Sequence, residues 1–326
     1  MKSKILNILR TKNDYVSGQE LCEYFGVTRT AIWKGIRQLR EEGYQIDAVQ
    51  NKGYRLVESP DLITGVELGS RMETKWAGRK LVYLDEVDST NNYARKLAED
   101  GAPHGTLVVA EYQNGGKGRR GRTWVMPHGQ AIAMSLIARP DIRPEKASMM
   151  TLVIGIAAAK AIREVTGLGA KIKWPNDIVV NGKKISGILT EMSAEMDGIN
   201  YVVIGIGINA NFTEFPEELR ETATSLQQQL GHSVDRGAVI CAIMKEFEAY
   251  YENFMETQSM KGLAEEYQQM LVNLNRQVRV LEPGNEYSGI ARGIDEAGQL
   301  LVEKENGETA AVYAGEVSVR GIYNYV

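Results

Sequence analysis

The sequence predicts an α+β protein of three domains, and three changes of local pattern along the chain indicate this organisation. Residues 1–60 combine helical periodicity with a short hairpin, and residues 61–273 mix longer apolar strands with helices. Residues 274–326 hold only short strands separated by turn residues. A length of 326 residues suits two or three domains. Of the net charge of −4, residues 1–60 carry +3, which indicates a small basic module joined to an acidic body.

The first domain is predicted to be a winged helix-turn-helix. Apolar spacing predicts helices over residues 4–11, 18–25 and 28–42, with Ser17 capping the second and Gly26 ending it. Two short strands over residues 44–56 surround an Asn-Lys-Gly turn and form the wing. A tight turn between two short helices is typical of the helix-turn-helix.

The third helix presents a polar face opposite its apolar residues, which is suited to the major groove of DNA. The alternative is a solvated amphipathic helix hairpin without a ligand, and the wing favours DNA binding. The candidate DNA-binding residues are Thr28, Arg29, Thr30, Trp33, Lys34 and Arg37 on the helix, and Lys52 and Arg55 on the wing.

The second domain is predicted to contain a mixed sheet, because its strands come in runs with few crossover helices between them. Helices are expected over residues 90–99 and 146–166, and one or two more over residues 237–271. The expected strands cover residues 81–84, 106–111, 132–138, 171–173, 178–180, 185–190 and 201–208.

The third domain is predicted to be a small β barrel that packs against the second. Five short strands occur within residues 276–320, separated by turn clusters such as Pro283-Gly-Asn and Glu305-Asn-Gly. A unit of about fifty residues buries too little apolar surface to be stable alone.

A glycine-rich loop, GGKGRRGRTW at residues 115–124, allows three interpretations. Its G-x-G-x-x-G spacing resembles a dinucleotide-binding turn, but the segment that follows contains Pro127 and cannot begin the required helix. Polynucleotide binding is weakened by the lack of aromatic residues other than Trp124 near the cations. The favoured interpretation is a loop that closes over the phosphate of a small ligand, and an ordinary solvated basic loop is the alternative.

A hairpin in the segment KWPNDIVVNGKKISGIL, residues 173–189, brings a cation and a carboxylate together. The Asn181-Gly182 turn pairs Val179 with Lys184 and residue 178 with residue 185. Asp177, Val179, Lys184 and Ser186 are then expected on one face. Asp177 and Lys184 could form a buried ion pair, or a phosphate-binding cation beside a metal-binding carboxylate, and the hairpin alone does not decide between them.

Six motifs follow one another along the central domain: DSTN at 88–91, EYQ at 111–113, GKGRRGRTW at 116–124, KWPND at 173–177, GKKISGIL at 182–189 and GIGIN at 205–209. In this order they resemble the motifs of biotin–protein ligases, and in particular of the bifunctional ligases that also repress the biotin operon. The winged helix-turn-helix and the small barrel complete the three-domain layout of this family.

The resemblance implies a class II synthetase-like fold for the central domain, an SH3-like barrel, and a two-step reaction. Biotin and ATP form biotinyl-5′-AMP with the help of Mg²⁺, and biotin then passes to a lysine of the carrier domain of acetyl-CoA or pyruvate carboxylase. The adenylate would also drive a homodimer onto palindromic operator DNA.

The resemblance also implies roles for individual residues. Lys184, Arg119, Arg122 and Asp177 would be catalytic, with Asp177 also holding the metal. The implied biotin-binding residues are Ser89, Thr90, Asn91, Gln113, Gly116, Lys117, Gly118, Arg119, Lys184, Gly187, Gly205 and Gly207. The implied ATP- or adenylate-binding residues are Lys117, Arg119, Arg122, Trp124, Asn176, Asn209 and Arg320.

The chain departs from the family pattern at three places, which bear on loop kinetics and adenylate retention. Lys117 stands where many members have arginine, Met126 replaces a usual Ser-Pro, and Asn114-Gly115 replaces bulkier residues. Two alternatives remain: a biotin-sensing transcription factor without useful ligase activity, and a lipoate or octanoyl ligase on the same fold.

The sequence predicts a cytoplasmic protein with no membrane segment. The N-terminal stretch is too short and interrupted for a signal peptide, and the most apolar run, residues 148–159, is about half of a membrane span. Cys22 and Cys241 lie far apart in apolar surroundings and are expected to be buried thiols, not a disulfide or a metal-binding pair.

Overall fold

The structure, a computed structural model, describes residues 1–124, 126–195, 198–281, 284, 286–314, 318–321 and 325–326. Its contacts divide the chain into two compact units. One unit comprises Met1–Glu73 together with Asp235–Cys241, and the other comprises Thr74–Val234 together with Ala242–Val326.

The first unit is a winged helix-turn-helix, as predicted. Its elements are α1 (Lys2–Lys12), α2 (Gly18–Phe25), α3 (Arg29–Glu41), β1 (Gln45–Val49), β2 (Gly53–Glu58) and α4 (Gly65–Arg71). The Ser17 hydroxyl accepts the Glu20 N–H at 3.0 Å, and Gly26 ends α2 with φ 64°. Ile32, Ile36 and Leu39 are buried, so α3 turns its polar face outward.

Residues 61–73, which the sequence analysis assigns to the central domain, pack within this first unit. They contain α4, a helix too short to show periodicity in the sequence. Glu67 on α4 is almost fully buried and accepts hydrogen bonds from Arg10 at 2.9 Å and from the Tyr44 hydroxyl at 2.6 Å. A buried carboxylate requires such partners, and both are supplied by the first sixty residues.

The second unit contains a seven-stranded mixed sheet, in agreement with the prediction. Its order is β3-β4-β5-β9-β8-β7-β6, with β3 and β4 parallel and the other neighbours antiparallel. The strands and helices in chain order are β3 (Lys80–Val87), α5 (Thr90–Glu99), β4 (Thr106–Gln113), β5 (Ala131–Ala138), α6 (Met149–Thr166), β6 (Lys171–Lys173), β7 (Asp177–Val180), β8 (Lys183–Glu195), β9 (Gly198–Asn209), α7 (Leu226–Leu230), α8 (Arg236–Thr257) and α9 (Ala264–Met270). The residues of α8 up to Cys241 are counted with the first unit.

The predicted register of the β7–β8 hairpin is correct next to the turn and wrong beyond it. Val179 pairs with Lys184 as expected, but Ile178 pairs with Ser186 because Ile185 is the extra residue of a β-bulge. A bulge re-aims the side chains that follow it. Lys184 therefore shares a face with Gly187, whereas Ser186 lies on the opposite face and is fully buried.

The C-terminal residues form a five-stranded antiparallel sheet of order β13-β12-β11-β10-β14. Its strands are β10 (Gln277–Leu281), β11 (Tyr287–Ile294), β12 (Leu300–Lys304), β13 (Thr309–Val312) and β14 (Ser318–Gly321). The predicted turn at Pro283 and Asn285 lies outside the described residues. Trp174 donates its indole N–H to the Gly298 carbonyl at 3.1 Å, so this sheet packs on the central domain.

Cys22 and Cys241 are free thiols as predicted, but both are half-buried and not fully buried. Among the described residues, no helix combines the length and the apolar character needed to cross a membrane.

Candidate functional site

An inner slot lies over the glycines of β8 and β9, and it gathers nearly all of the residues assigned to biotin. Its lining includes Ser89, Thr90, Asn91, Gln113, Lys117, Gly118, Arg119, Lys184, Gly187, Gly205 and Gly207. Gly116 does not line the slot but lies beside it, because a Cβ on Gly116 would approach Gln113 Nε2 to 3.1 Å. Five separate segments thus converge on one cavity.

The glycines of the GIGIN motif are required by close contacts. A Cβ at Gly205 would lie 2.1 Å from Asn91 Oδ1, and a Cβ at Gly207 would lie 2.7 Å from Trp124 Cε2. Both distances are shorter than any ordinary carbon contact. The two glycines therefore allow Asn91 and the Trp124 indole to lie directly on the sheet.

A buried polar network forms one end of the slot. The Gln113 side-chain oxygen accepts the Thr90 N–H at 2.6 Å and the Thr90 hydroxyl at 2.9 Å. The Ser135 hydroxyl donates to Asn91 Oδ1 at 2.6 Å, and Asn91 Nδ2 donates to Glu191 at 2.7 Å. Because both Thr90 donors use the Gln113 oxygen, the Gln113 amide nitrogen is left as a donor for a ligand carbonyl.

Ser135 and Glu191 were not identified from the sequence. Ser135 is the single hydroxyl in the otherwise apolar strand β5, and that isolated position was the available signal. Glu191 offered no signal, because an acid directly after the predicted strand over residues 185–190 is ordinary.

An outer cleft of about 290 Å³ adjoins the inner slot. Of the residues assigned to the nucleotide, Arg119, Arg122, Trp124, Asn176 and Asn209 line this cleft, together with Asp177 and Lys184. Lys117 lines only the slot, and the Arg320 side chain lies outside the described part of the structure. Sequence reasoning missed the apolar wall formed by Phe212, Phe215, Pro216 and Leu219.

Trp124 lines both cavities and separates them. Its indole lies on Gly207, and its Nε1 is buried without a hydrogen-bond partner among the described residues. The slot that remains is only about 60 Å³. Pockets for small molecules usually measure about 300–1,000 Å³, so the Trp124 indole fills space that a ligand of ordinary size would need.

Asp177 and Lys184 lie where the slot and the cleft meet. The Lys184 ammonium is 2.6 Å from Asp177 Oδ1, an ion pair that lacks hydrogen-bond geometry, and the Tyr325 hydroxyl donates to Asp177 Oδ2 at 2.5 Å. The side chains of Lys184 and Asp177 keep 27% and 14% of their surface exposed. The ion pair is therefore formed, and its cation still faces both cavities.

Arg119 is the second cation at this junction. Its Nη1 donates to Asn176 Oδ1 at 2.8 Å. Burial lowers the pKa of its guanidinium, and the nearby Asp177 carboxylate opposes that shift. An arginine stays protonated despite such a shift. Its positive charge therefore lies where little water screens it, and its attraction for nearby negative charges is strong.

Arg120 gives the glycine loop a strained backbone. It adopts φ 59° and ψ 33°, a left-handed conformation that costs energy for a residue other than glycine. Such strain often marks segments that change conformation during function.

The candidate DNA-binding residues are largely exposed in the first unit. Thr28 caps α3 by accepting the Ala31 N–H at 3.4 Å, and Trp33 is 53% exposed with Arg37 at 4.9 Å from its ring. On the wing, Arg55 pairs with Asp47 at 3.2 Å, whereas Lys52 is exposed. Arg29, Thr30 and Lys34 are exposed as well.

Three family models match the chain in the order of its domains. Residues 2–55 match the HTH domain, residues 83–209 match the biotin/lipoate A/B protein ligase family, and residues 274–320 match the biotin protein ligase C-terminal domain.

Similar proteins cover nearly the whole chain. The bifunctional ligase/repressor BirA of Bacillus subtilis is 40% identical over 309 residues, covering 94% of each chain. BirA of Escherichia coli is 31% identical and covers 96% of this chain and 95% of its own. Among solved structures, the biotin protein ligase of Aquifex aeolicus in complex with biotin and ATP aligns with TM-score 0.65 and 31% identity, over 74% of this chain and 99% of its own. The chain therefore belongs to the family of bifunctional biotin–protein ligases that are also repressors.

Proposed function

We propose that this protein is an ATP-dependent biotin–protein ligase and a biotinyl-5′-AMP-dependent repressor of biotin genes. One observation carries the proposal: the inner slot and the outer cleft meet at two cations, Lys184 and Arg119. A carboxylic acid in the slot and a nucleotide in the cleft would bring the carboxylate and the α-phosphate together at these cations.

In the first step, a carboxylate oxygen of biotin attacks the α-phosphorus of ATP, and the bond to pyrophosphate breaks. Lys184 and Arg119 stabilise the negative charge that builds up on the phosphate oxygens. Lys184 acts through its charge and forms no covalent bond with either substrate. The glycine loop then excludes water from the mixed anhydride.

The slot recognises the ring system of biotin at its polar end. The Gln113 amide nitrogen donates to the ureido carbonyl, while Ser89, Thr90 and Asn91 supply further polar contacts. Trp124 moves from the slot and packs between the two ligands.

Asp177 is the proposed ligand of Mg²⁺. Among the described residues, no group of three acidic, histidine or cysteine side chains forms a complete metal site. A carboxylate in the cleft fits an ion that arrives with the nucleotide, because Mg²⁺ in such sites is held by one or two carboxylates and the substrate phosphates. When bound, the ion neutralises phosphate charge. The Tyr325 hydroxyl and Lys184 would share Asp177 with it.

In the second step, a lysine of the carrier domain of acetyl-CoA or pyruvate carboxylase attacks the anhydride. The amine nitrogen bonds to the acyl carbon, AMP leaves with the electron pair of the broken C–O bond, and the amine proton passes to solvent. Biotin is then held by an amide bond.

Repression requires a dimer that responds to the adenylate. The strands β3 and β6 are the edges of the seven-stranded sheet, and sheet edges can pair between two molecules. A two-fold dimer would present two copies of α3 to a palindromic operator.

Mass spectrometry of the carrier domain tests the ligase activity and its acid. The purified protein would be incubated with carrier domain, MgATP and either biotin, lipoate or octanoate. The proposal expects the mass increase of one biotinyl group, in the biotin sample alone. An added lipoyl or octanoyl group would show that the protein transfers an acid other than biotin. An unmodified carrier in every sample would contradict ligase activity.

A further inference from the structure

A third cavity, the side pocket, lies next to the slot and the cleft and has no role in the adenylation step. It measures about 270 Å³ and lies between the start of α6, the strand β8 and the segment around Tyr313. Its lining includes Ser148, Thr151, Thr190 and Met192.

Two residues, Arg119 and Asn176, line the slot, the cleft and the side pocket. Their side chains are joined by the 2.8 Å hydrogen bond, and Asn176 is fixed by donating to the Ile188 carbonyl at 3.1 Å. This pair therefore stands between the side pocket and the place where the anhydride would form.

The reaction needs three reactants at that place, and the first two fill the slot and the cleft. Building on the proposed function, we infer that the side pocket is the entry path for the acceptor lysine. The amine would reach the acyl carbon past Arg119 and Asn176, from a side that the nucleotide does not occupy.

The lining of the side pocket suits a lysine that must lose its proton. None of its described lining residues carries a carboxylate, and Arg119 at its inner end is a cation. A nearby positive charge lowers the pKa of an ammonium and so increases the fraction of neutral, nucleophilic amine. The hydroxyls of Thr151 and Thr190, joined at 2.8 Å, offer acceptors to the amine as it passes.

The opening of the side pocket suits the methylene carbons of the acceptor lysine and the carrier residues next to that lysine. Met192 is 50% exposed and Tyr313 is 51% exposed, two large apolar side chains at one opening. Apolar side chains at a rim can pack against a methylene chain while its amine points inward.

Filling the side pocket should separate the two steps of the reaction. Ser148 precedes α6 and makes no side-chain capping bond, so Ser148→Phe narrows the pocket without removing a hydrogen bond from the helix. The matched control is Ser193→Phe, on the strand β8 that also carries Met192, but outside the pocket lining.

Three rates would be measured for the full-length protein with each substitution. They are pyrophosphate release with biotin and MgATP, single-turnover transfer from preformed adenylate to a saturating carrier domain, and consumption of preformed adenylate by hydroxylamine. We expect Ser148→Phe to keep pyrophosphate release within about twofold and to slow transfer by at least about tenfold, because misplacing a reactant by about 1 Å can cost a hundredfold. Hydroxylamine, a much smaller amine, should still consume the adenylate at the original rate. Ser193→Phe should leave all three rates unchanged.

Unchanged transfer in Ser148→Phe at saturating carrier would overturn the inference, because a loss confined to lower carrier concentrations would show that docking, and not entry, is affected. An equal loss of pyrophosphate release and transfer would also overturn it. Absence of pyrophosphate release in the unmodified protein would instead contradict the proposed ligase activity.

Discussion

Single residues at the site show where sequence reasoning succeeds and where it stops. The pairing of Val179 with Lys184 follows from the Asn181-Gly182 turn, a local signal that fixes the register beside it. The bulge at Ile185 could not be foreseen, because nothing in an apolar run marks which residue is extra. Ser186 was therefore placed on the wrong face. Glu191 and Ser135 belong to a network that only the folded sheet assembles.

The close approach of Asn91 to Gly205 predicts what one added methyl group at position 205 would do. Gly205→Ala would place a Cβ 2.1 Å from Asn91 Oδ1, which forces Asn91 out of its network. We expect a loss of about 1–3 kcal/mol in the free energy of unfolding, the usual cost of overpacking, and a weaker affinity for biotin. Denaturant unfolding and calorimetric titration with biotin measure the two effects.

Gly198→Ala is the matched control, because it lies on the same strand β9 and a Cβ there meets nothing within 4 Å. Equal behaviour of the two variants would contradict the role assigned to the Asn91 network.

At the scale of elements, the composition of the glycine loop identified it as a candidate site, but the sequence did not predict its conformation. Glycines and cations predicted a loop near phosphate, and Arg119 and Arg122 do line the cleft. The position of Trp124 on Gly207 depends on a strand more than eighty residues away, so no local pattern predicts it. The helix α4 was missed for a similar reason: its stability comes from Arg10 and Tyr44.

The small size of the slot predicts that ligands reorder the glycine loop. On the proposed function, Trp124 leaves Gly207 when biotin binds, and the phosphate of the nucleotide would then hold Arg119 and Arg122. We expect trypsin to cleave after Arg120 and Arg122 in the unliganded protein, and biotin with MgATP to slow this cleavage by at least about tenfold, since ordering a loop lowers the population of its open forms.

Tryptic cleavage sites on the wing serve as the internal control, because biotin and MgATP should not change the rate of cleavage there. Equal cleavage of the loop with and without ligands would show that it does not close.

At the scale of the whole molecule, the order of the three domains and the mixed sheet were predicted correctly. Both features rest on patterns of apolar and turn residues that extend over many positions, and such long patterns predict structure reliably. The six motifs agreed with these patterns. The border of the first domain was less predictable, because residues 61–73 join it through the buried Glu67 rather than through a pattern of their own.

Repression is a property of the whole molecule and predicts coupled assembly. Sedimentation with a labelled duplex from upstream of the biotin genes should show a monomer alone and a DNA-bound dimer after biotin and MgATP are added. Lys34→Ala removes an exposed cation of α3, so it should still dimerise but bind DNA more weakly. An unchanged mass in the presence of the ligands would contradict adenylate-driven dimerisation.

Pyrophosphate release tests the central claim most directly: that Lys184 stands at the reacting phosphate where slot and cleft meet. The purified protein and its Lys184→Ala variant would be assayed with MgATP, with and without biotin. The account predicts release that depends on biotin and falls by about a hundredfold or more in the variant, the usual loss when a group that stabilises transition-state charge is removed. Release independent of biotin, or equal in both proteins, would contradict it. A protein that binds biotin without releasing pyrophosphate would be a sensor and not a ligase.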